Sequence, residues 1–233
     1  MGAEKMDVEG ENNVIEAGEN VDLRGKINGR NNRLIVENTE LDSIVRVIIS
    51  GSFNTVHIGK NSRCRGLDIR IGNHVAASDV NIRIGNGFTS ENDCKFLLYN
   101  SGNTLTIGND CMFSNSIILR CGESPHLIFD SENGDYLDVS DGVEIGDHVW
   151  IGERSYITKR AKIASGCVLA ACAVATKTYS EEKSVIAGNP GRVVRTGVNW
   201  VRNRGKLIPK TPEALSYMAN ANKYSNQKRV LEK

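Results

Sequence analysis

Residues 145–174 read IGDHVW, IGERSY, ITKRAK, IASGCV and LAACAV. The first position of each six is aliphatic: Ile145, Ile151, Ile157, Ile163 and Leu169. The fifth is small or β-branched: Val149, Ser155, Ala161, Cys167 and Ala173. A helix of 3.6 residues per turn cannot return one residue type to one face every six positions. An even period can, because first and fifth positions of a strand fall on the same side. A turn after each six makes a coil of three short strands. Stacked coils then set Ile on Ile, with a small residue at each corner. The spacing predicts an all-β chain built as a parallel β-helix, a quasi-one-dimensional solenoid. An ordinary amphipathic strand does not hold phase over five uninterrupted repeats.

Upstream the phase is weaker. Ile15, Val21 and Ile27 keep it, and NNRLIVEN and SIVRVIISGSFNTVHIG follow, so residues 1–56 read as irregular N-terminal coils. LDIRIGN at 67–73 recurs as VNIRIGN at 80–86, thirteen residues on. That offset reads as two sixes plus one extra corner residue, accommodated like a bulge. The phase resumes at Ile84, Ser90 and Phe96, and again at Ile107, Phe113 and Leu119. Gly follows Ile in TVHIGK, IRIGN, TLTIGN and GVEIGD, which predicts a tight corner of unusual φ/ψ.

Regular coils are expected over 57–175, broken by an external loop at about 121–142. That stretch, CGESPHLIFDSENGDYLDVSDG, carries Asp and Glu but no Lys or Arg. Loops that long inside a compact repeat are usually functional or disordered. Beyond Val174, residues 176–196 read as a capping loop with a Gly-Asn-Pro-Gly turn. Residues 197–233 form a basic and polar tail, with a short helix from Pro212 capped by Thr211. The whole of 1–233 reads as a single β-helix domain, with the tail over the open end of the coil.

Composition narrows the function classes. A formal net charge of +1 over 233 residues makes no global case for nucleic acid or an anionic membrane. No apolar run is long enough to span a bilayer, and MGAEKMDVEGEN lacks a signal-peptide core. Six cysteines form no CxxC pair, and Cys94, Cys111 and Cys167 fall at small inward positions. Buried reduced thiols in a cytoplasmic protein are expected.

The sixes, together with IGDHVWIG and AGNPGRVVR, resemble the hexapeptide-repeat acyltransferases. The resemblance covers roughly 58–196 and is closest to the O-acetyltransferases of sugars and capsular polysaccharides, of the polysialic acid type. It implies a left-handed coil, against the usual right-handed crossover. It also implies a homotrimer with active sites between subunits, acetyl-CoA as acyl donor, and a carbohydrate acceptor. Other acceptors of the same chemistry are a small sugar, an amino sugar or an antibiotic. A non-catalytic β-helix scaffold is the reading from another class.

Acyl transfer to a hydroxyl needs a base, donors for the oxyanion and a cradle for the carrier. Histidine is the natural base, and there are four: His57, His74, His126 and His148. His57 and His74 sit in coil tokens and read as solvent-facing; His148 sits at a corner beside Trp150. His126 lies in SPHLIFD, inside the external loop. The resemblance assigns it the general-base role, with Asp130, Glu123 or Asp135 left open as the acid that orients its ring. Trp150 matches the family's VWIG token, where its indole N–H could donate to acceptor or thioester, or wall the acceptor site. The resemblance also implies donor contacts at Ala171, Thr176, Lys177, Arg192 and Arg195. Lys and Arg suit phosphates, and small coil residues admit a pantetheine arm. Zinc-binding γ-class carbonic anhydrases share the β-helix but need a closely spaced histidine pair, which is missing, so no metal is expected.

Overall fold

The computed structural model describes residues 6–231. Val198 closes a first compact unit and Asn199 opens a second. The first is a parallel β-solenoid of about eight turns, consistent with a left-handed coil.

Its first face stacks Val14–Ala17, Arg33–Val36, Thr55–Ile58, Asn81–Ile84, Thr104–Ile107, Gly142–Ile145, Lys162–Ile163 and Thr178–Tyr179. The second stacks Thr89–Ser90, Met112–Phe113, Trp150–Ile151, Val168–Leu169 and Val185–Ala187. The third stacks Lys95–Leu98, Ile118–Arg120, Tyr156–Ile157 and Val174–Ala175. In the early coils, long strands do the work of two faces. Arg63–Ile71 pairs with Thr89–Ser90 at one end and with Lys95–Leu98 at the other.

The period of six is the step from face to face. Ile84, Ile107, Ile145 and Ile163 are consecutive partners on the first face. Ser90, Phe113, Ile151 and Leu169 follow on the second. Phe96, Leu119, Ile157 and Ala175 follow on the third. All are buried. The wider coils need larger filling, and three phenyl rings supply it edge-on, with Phe113 5.1 Å from Phe88 and 5.6 Å from Phe96.

Two expectations change. The duplicated motifs do not share a face: LDIRIGN ends the strand Arg63–Ile71, while VNIRIGN lies on the first-face strand Asn81–Ile84. Their offset is a single step between neighbouring faces through residues 72–80, not two sixes and one extra corner residue. Of the glycines after Ile, Gly72 takes the expected left-handed conformation, at φ 70°, while Gly59, Gly85, Gly108, Gly146 and Gly152 serve another purpose. At Gly108 no left-handed φ is needed; a Cβ there would stand 2.5 Å from the Asp147 carboxylate and 2.7 Å from its backbone nitrogen. Gly152 would meet the Ala171 nitrogen at 2.6 Å. The need is room for the next coil. The left-handed conformation falls further along the corners, at Asp110, His148 and Arg154.

Corner amides are satisfied by side-chain ladders. The Asn32 side chain bonds Asn13 below it and receives the Asn54 amide at 3.0 Å, and Asn54 receives the Val80 amide at 2.9 Å. In the second unit, the Thr211 hydroxyl accepts from the Ala214 amide at 3.3 Å and caps the helix Pro212–Leu231. Among the described residues no helix is long and apolar enough to cross a membrane.

Candidate active site

The external loop leaves the third face after Arg120 and rejoins the first at Gly142, so it springs from the edge those faces share. His126 lies here, exposed, with its amide donating to the Glu123 carbonyl at 3.0 Å. Beyond it the chain folds back on itself. Phe129 and Tyr136 form an antiparallel bridge, and the Leu137 amide donates to the Ile128 carbonyl at 2.8 Å. At the tip, Asp130 accepts from the amides of Asn133 and Glu132 at 3.0 and 2.8 Å. Those amides hold its carboxyl below the usual range. Leu127, Ile128, Phe129, Leu137 and Val139 on this arm are all exposed.

The three acids left open as partners for His126 are engaged elsewhere. Asp130 closes the tip, Asp135 accepts from the Asn133 side chain at 2.9 Å, and Glu123 pairs with Arg120 at 3.0 Å. Among the described residues the His126 ring has no hydrogen-bond partner within its own chain.

The base of the arm has a different centre, which the sequence did not single out. Asp138 is buried. Its Oδ2 accepts from the Glu123 amide at 2.9 Å and from the Asn100 side chain at 3.1 Å, and its Oδ1 pairs with Lys159. Burial pushes the carboxyl up, but Lys159, the Glu123 amide and Asn100 outweigh it and hold the group below the usual range.

Trp150 is half-buried on the second face, between Met112 and Val168, and its Nε1 donates to the Ser114 hydroxyl at 3.2 Å. In a three-sided prism the edge between first and third faces lies opposite the second. One chain therefore carries His126 and Trp150 on opposite sides of the coil. His148, at φ 52°, places its Nδ1 2.7 Å from Asp110, the residue at the equivalent corner one coil below. His57 pairs with Glu37 at 2.8 Å and His74 is exposed.

The residues implied as donor contacts gather on the last coils. Ala171 is exposed at the corner after Val168–Leu169. Thr176 and Lys177 turn the next corner, ahead of Thr178–Tyr179. Arg192 and Arg195 end a strand that runs antiparallel to Val185–Ala187. Tyr179, buried, ties this end together. Its hydroxyl receives the Thr176 amide at 3.3 Å and donates to the Gly191 carbonyl at 3.1 Å, and the Lys177 ammonium lies 5.9 Å from its ring centre. The side chains of Lys177, Arg192 and Arg195 are each exposed, and their positive charge suits an anionic carrier.

Three of the buried thiols are held away from the thiolate form. Burial pushes Cys64 up to about 11, and Cys94 and Cys121 up to about 12. Among the described residues no group of His, Cys, Asp and Glu could hold a metal ion.

Comparison with known proteins adds to this geometry. Residues 142–177 match the bacterial transferase hexapeptide (six repeats) family model. The structure of the polySia-specific acetyltransferase NeuO is similar at a TM-score of 0.76 and 28% identity, covering 94% of this chain and 99% of that one. The polysialic acid O-acetyltransferase OatWY shares the fold at a TM-score of 0.61 and 22% identity, over 90% of this chain and 95% of the other. No curated protein matches the sequence. The repeats at 142–177 are those of the bacterial transferase hexapeptide family, and the likeness to NeuO over nearly the full length of both chains supports an acyltransferase.

Proposed function

We propose that the chain moves acetyl from acetyl-CoA to a hydroxyl of a carbohydrate, with polysialic acid or a related surface or capsular polysaccharide as acceptor. The observation that carries the reading is the whole-length likeness to a polySia-specific acetyltransferase. His126 takes the proton of the acceptor hydroxyl as its oxygen attacks the thioester carbonyl. The tetrahedral oxyanion meets an N–H donor, the Trp150 indole or a backbone amide. The C–S bond then breaks, and the thiolate leaves with the proton returned by His126. Lys177, Arg192 and Arg195 meet the phosphates of the carrier, and the small corner at Ala171 admits its pantetheine arm.

Opposite placement of His126 and Trp150 supports a site completed by a neighbouring subunit in a homotrimer. The exposed apolar arm Leu127–Phe129 is what such a neighbour would cover. Unpaired buried thiols agree with a cytoplasmic setting.

The test is acetyl transfer from acetyl-CoA to purified polysialic acid and a panel of other glycans, read as added acetyl mass, with light scattering on the same sample. Product on a glycan from a trimer is expected. A protein that shows no thermal shift with CoA and modifies no glycan is a scaffold, and a monomer at micromolar concentration removes the shared site.

A further inference from the structure

We propose that Asp138, with Asn100 and Lys159, is a latch that holds the His126 segment in its working position. The inference rests on the reading of His126 as base. Burying a carboxylate is costly unless it is paired and hydrogen-bonded. Between Glu123 and Asp141 only Asp138 is buried, although the coil core needs nothing from this loop. The apolar residues around it point to solvent instead, so burial of the acid is not a by-product of hydrophobic packing.

Its bonds join the two ends of the loop to each other and to the coils before and after it. Glu123, on the way out, donates its amide to Asp138, on the way back. Asn100 comes from the edge of the coil before the loop, and Lys159 from the same edge of the coil after it. The Asn100 side-chain Oδ1 also accepts from the Ser124 amide at 3.1 Å. Gly122 leaves the space for Asn100 to enter: a Cβ there would stand 2.5 Å from that side chain. Two hydrogen bonds then separate the Asp138 carboxylate from the backbone of His126: the Glu123 amide donates to the carboxylate, and the His126 amide donates to the Glu123 carbonyl. The Asn73 side chain also donates to the Ser124 carbonyl at 2.8 Å, so Ser124 is tethered independently and the latch governs the step from Glu123 to His126; loosening it displaces the base while the coil stays folded. Asp138, Asn100 and Lys159 are therefore positioning residues.

The experiment compares Asp138→Asn, Lys159→Met and Lys159→Arg in the full chain. It measures kcat, KM for acetyl-CoA, thermal midpoint, and amide hydrogen exchange at Glu123 and His126. Misplacing a catalytic group by about 1 Å costs on the order of 100-fold. Asp138→Asn and Lys159→Met are expected to lower kcat by about 10- to 100-fold. KM for acetyl-CoA and the midpoint should stay as in wild type, and exchange at the two amides should quicken about tenfold or more. Lys159→Arg should recover most of what Lys159→Met loses. Unchanged exchange with unchanged kcat overturns the latch, and so does a loss of kcat that tracks an equal loss of midpoint. His126→Ala, alone and combined with Asp138→Asn, separates the two readings. If His126→Ala is inactive, the double variant should be no worse, and a further loss overturns action through His126. If His126→Ala keeps its activity, the base assignment falls, and exchange at the two amides alone decides the latch.

Discussion

The coils of residues 145–175 and the loop of 123–141 are built on opposite terms. In the coils every sixth residue is an aliphatic or small side chain buried on its counterpart, and the ladder repeats itself. In the loop the apolar residues are exposed and the buried side chain is an acid. Repetition gives stability without discrimination, because each coil serves as well as the next. The loop breaks the repetition at one edge and so carries the group that must be unique. The candidate site inherits this split. Its proposed donor end, at Lys177, Arg192 and Arg195, rides on the last coils. Its proposed base, His126, rides on the loop.

The sharpest way to break the comparison is His126→Ala. Positioned general bases contribute about 10²- to 10⁴-fold, so kcat should fall by that order while the thermal midpoint and CoA affinity stay put. The rise of kcat/KM with pH that a general base confers should vanish with it. His148→Ala is the control, since its Nδ1 already meets Asp110 at 2.7 Å. If His148→Ala kills activity and His126→Ala spares it, the chemistry belongs to the coil and the division of labour collapses.

Ile145→Ala tests the other side. Ile145 is 1% exposed, stacked between Ile107 and Ile163. Removing such a side chain from a packed core costs about 2–5 kcal/mol. The midpoint should drop clearly, while kcat per folded molecule holds. A variant with full stability and reduced kcat would show that the coil core does more than support.

Lys177→Ala and Arg195→Ala come next. Both side chains are exposed, so stability should not move. KM for acetyl-CoA should rise about tenfold or more as a charge-assisted phosphate contact is lost, with KM for the acceptor unchanged. Equal binding of CoA and dephospho-CoA by wild type and both variants would remove the 3′-phosphate from these residues.

The split also explains what the sequence made legible. Ile145, Ile151 and Ile157 declare themselves because a solenoid writes the same instruction every turn. His126 stood out because SPHLIFD, in the stretch that loses the phase, resembles the loop motif of the sugar O-acetyltransferases. Asp138 did not, because an acid in an acid-rich loop looks like its neighbours until Asn100 and Lys159 are brought to it across coils. Lys159 occupies an ordinary outward position of ITKRAK. The role of glycine after Ile was misread for a related reason. Sequence shows that Gly108 precedes a corner, but the Asp147 backbone that would clash with a Cβ belongs to the coil above. Tyr179 fell outside the phase because its coil is shorter: it stacks on Ile163 only sixteen residues on.

That residue offers the smallest test and the closest to the seam between the two regions. Tyr179 is 3% exposed and ends the first-face ladder, so its ring belongs to the coil. Its hydroxyl instead serves the donor end, joining the Thr176 amide to the Gly191 carbonyl. Tyr179→Phe keeps the ring and deletes only that bridge. A neutral hydrogen bond contributes about 0.5–1.5 kcal/mol net, so the midpoint should fall by a few degrees at most. The Thr176–Lys177 corner and the turn before Arg192 lose their common tie. KM for acetyl-CoA should therefore rise several-fold, below the effect of removing Lys177 itself, with kcat held. If Tyr179→Phe lowers the midpoint as far as Ile145→Ala and leaves KM alone, Tyr179 is a core residue whose hydroxyl is incidental. If KM moves without the midpoint, the last rung of the coil is already part of the site.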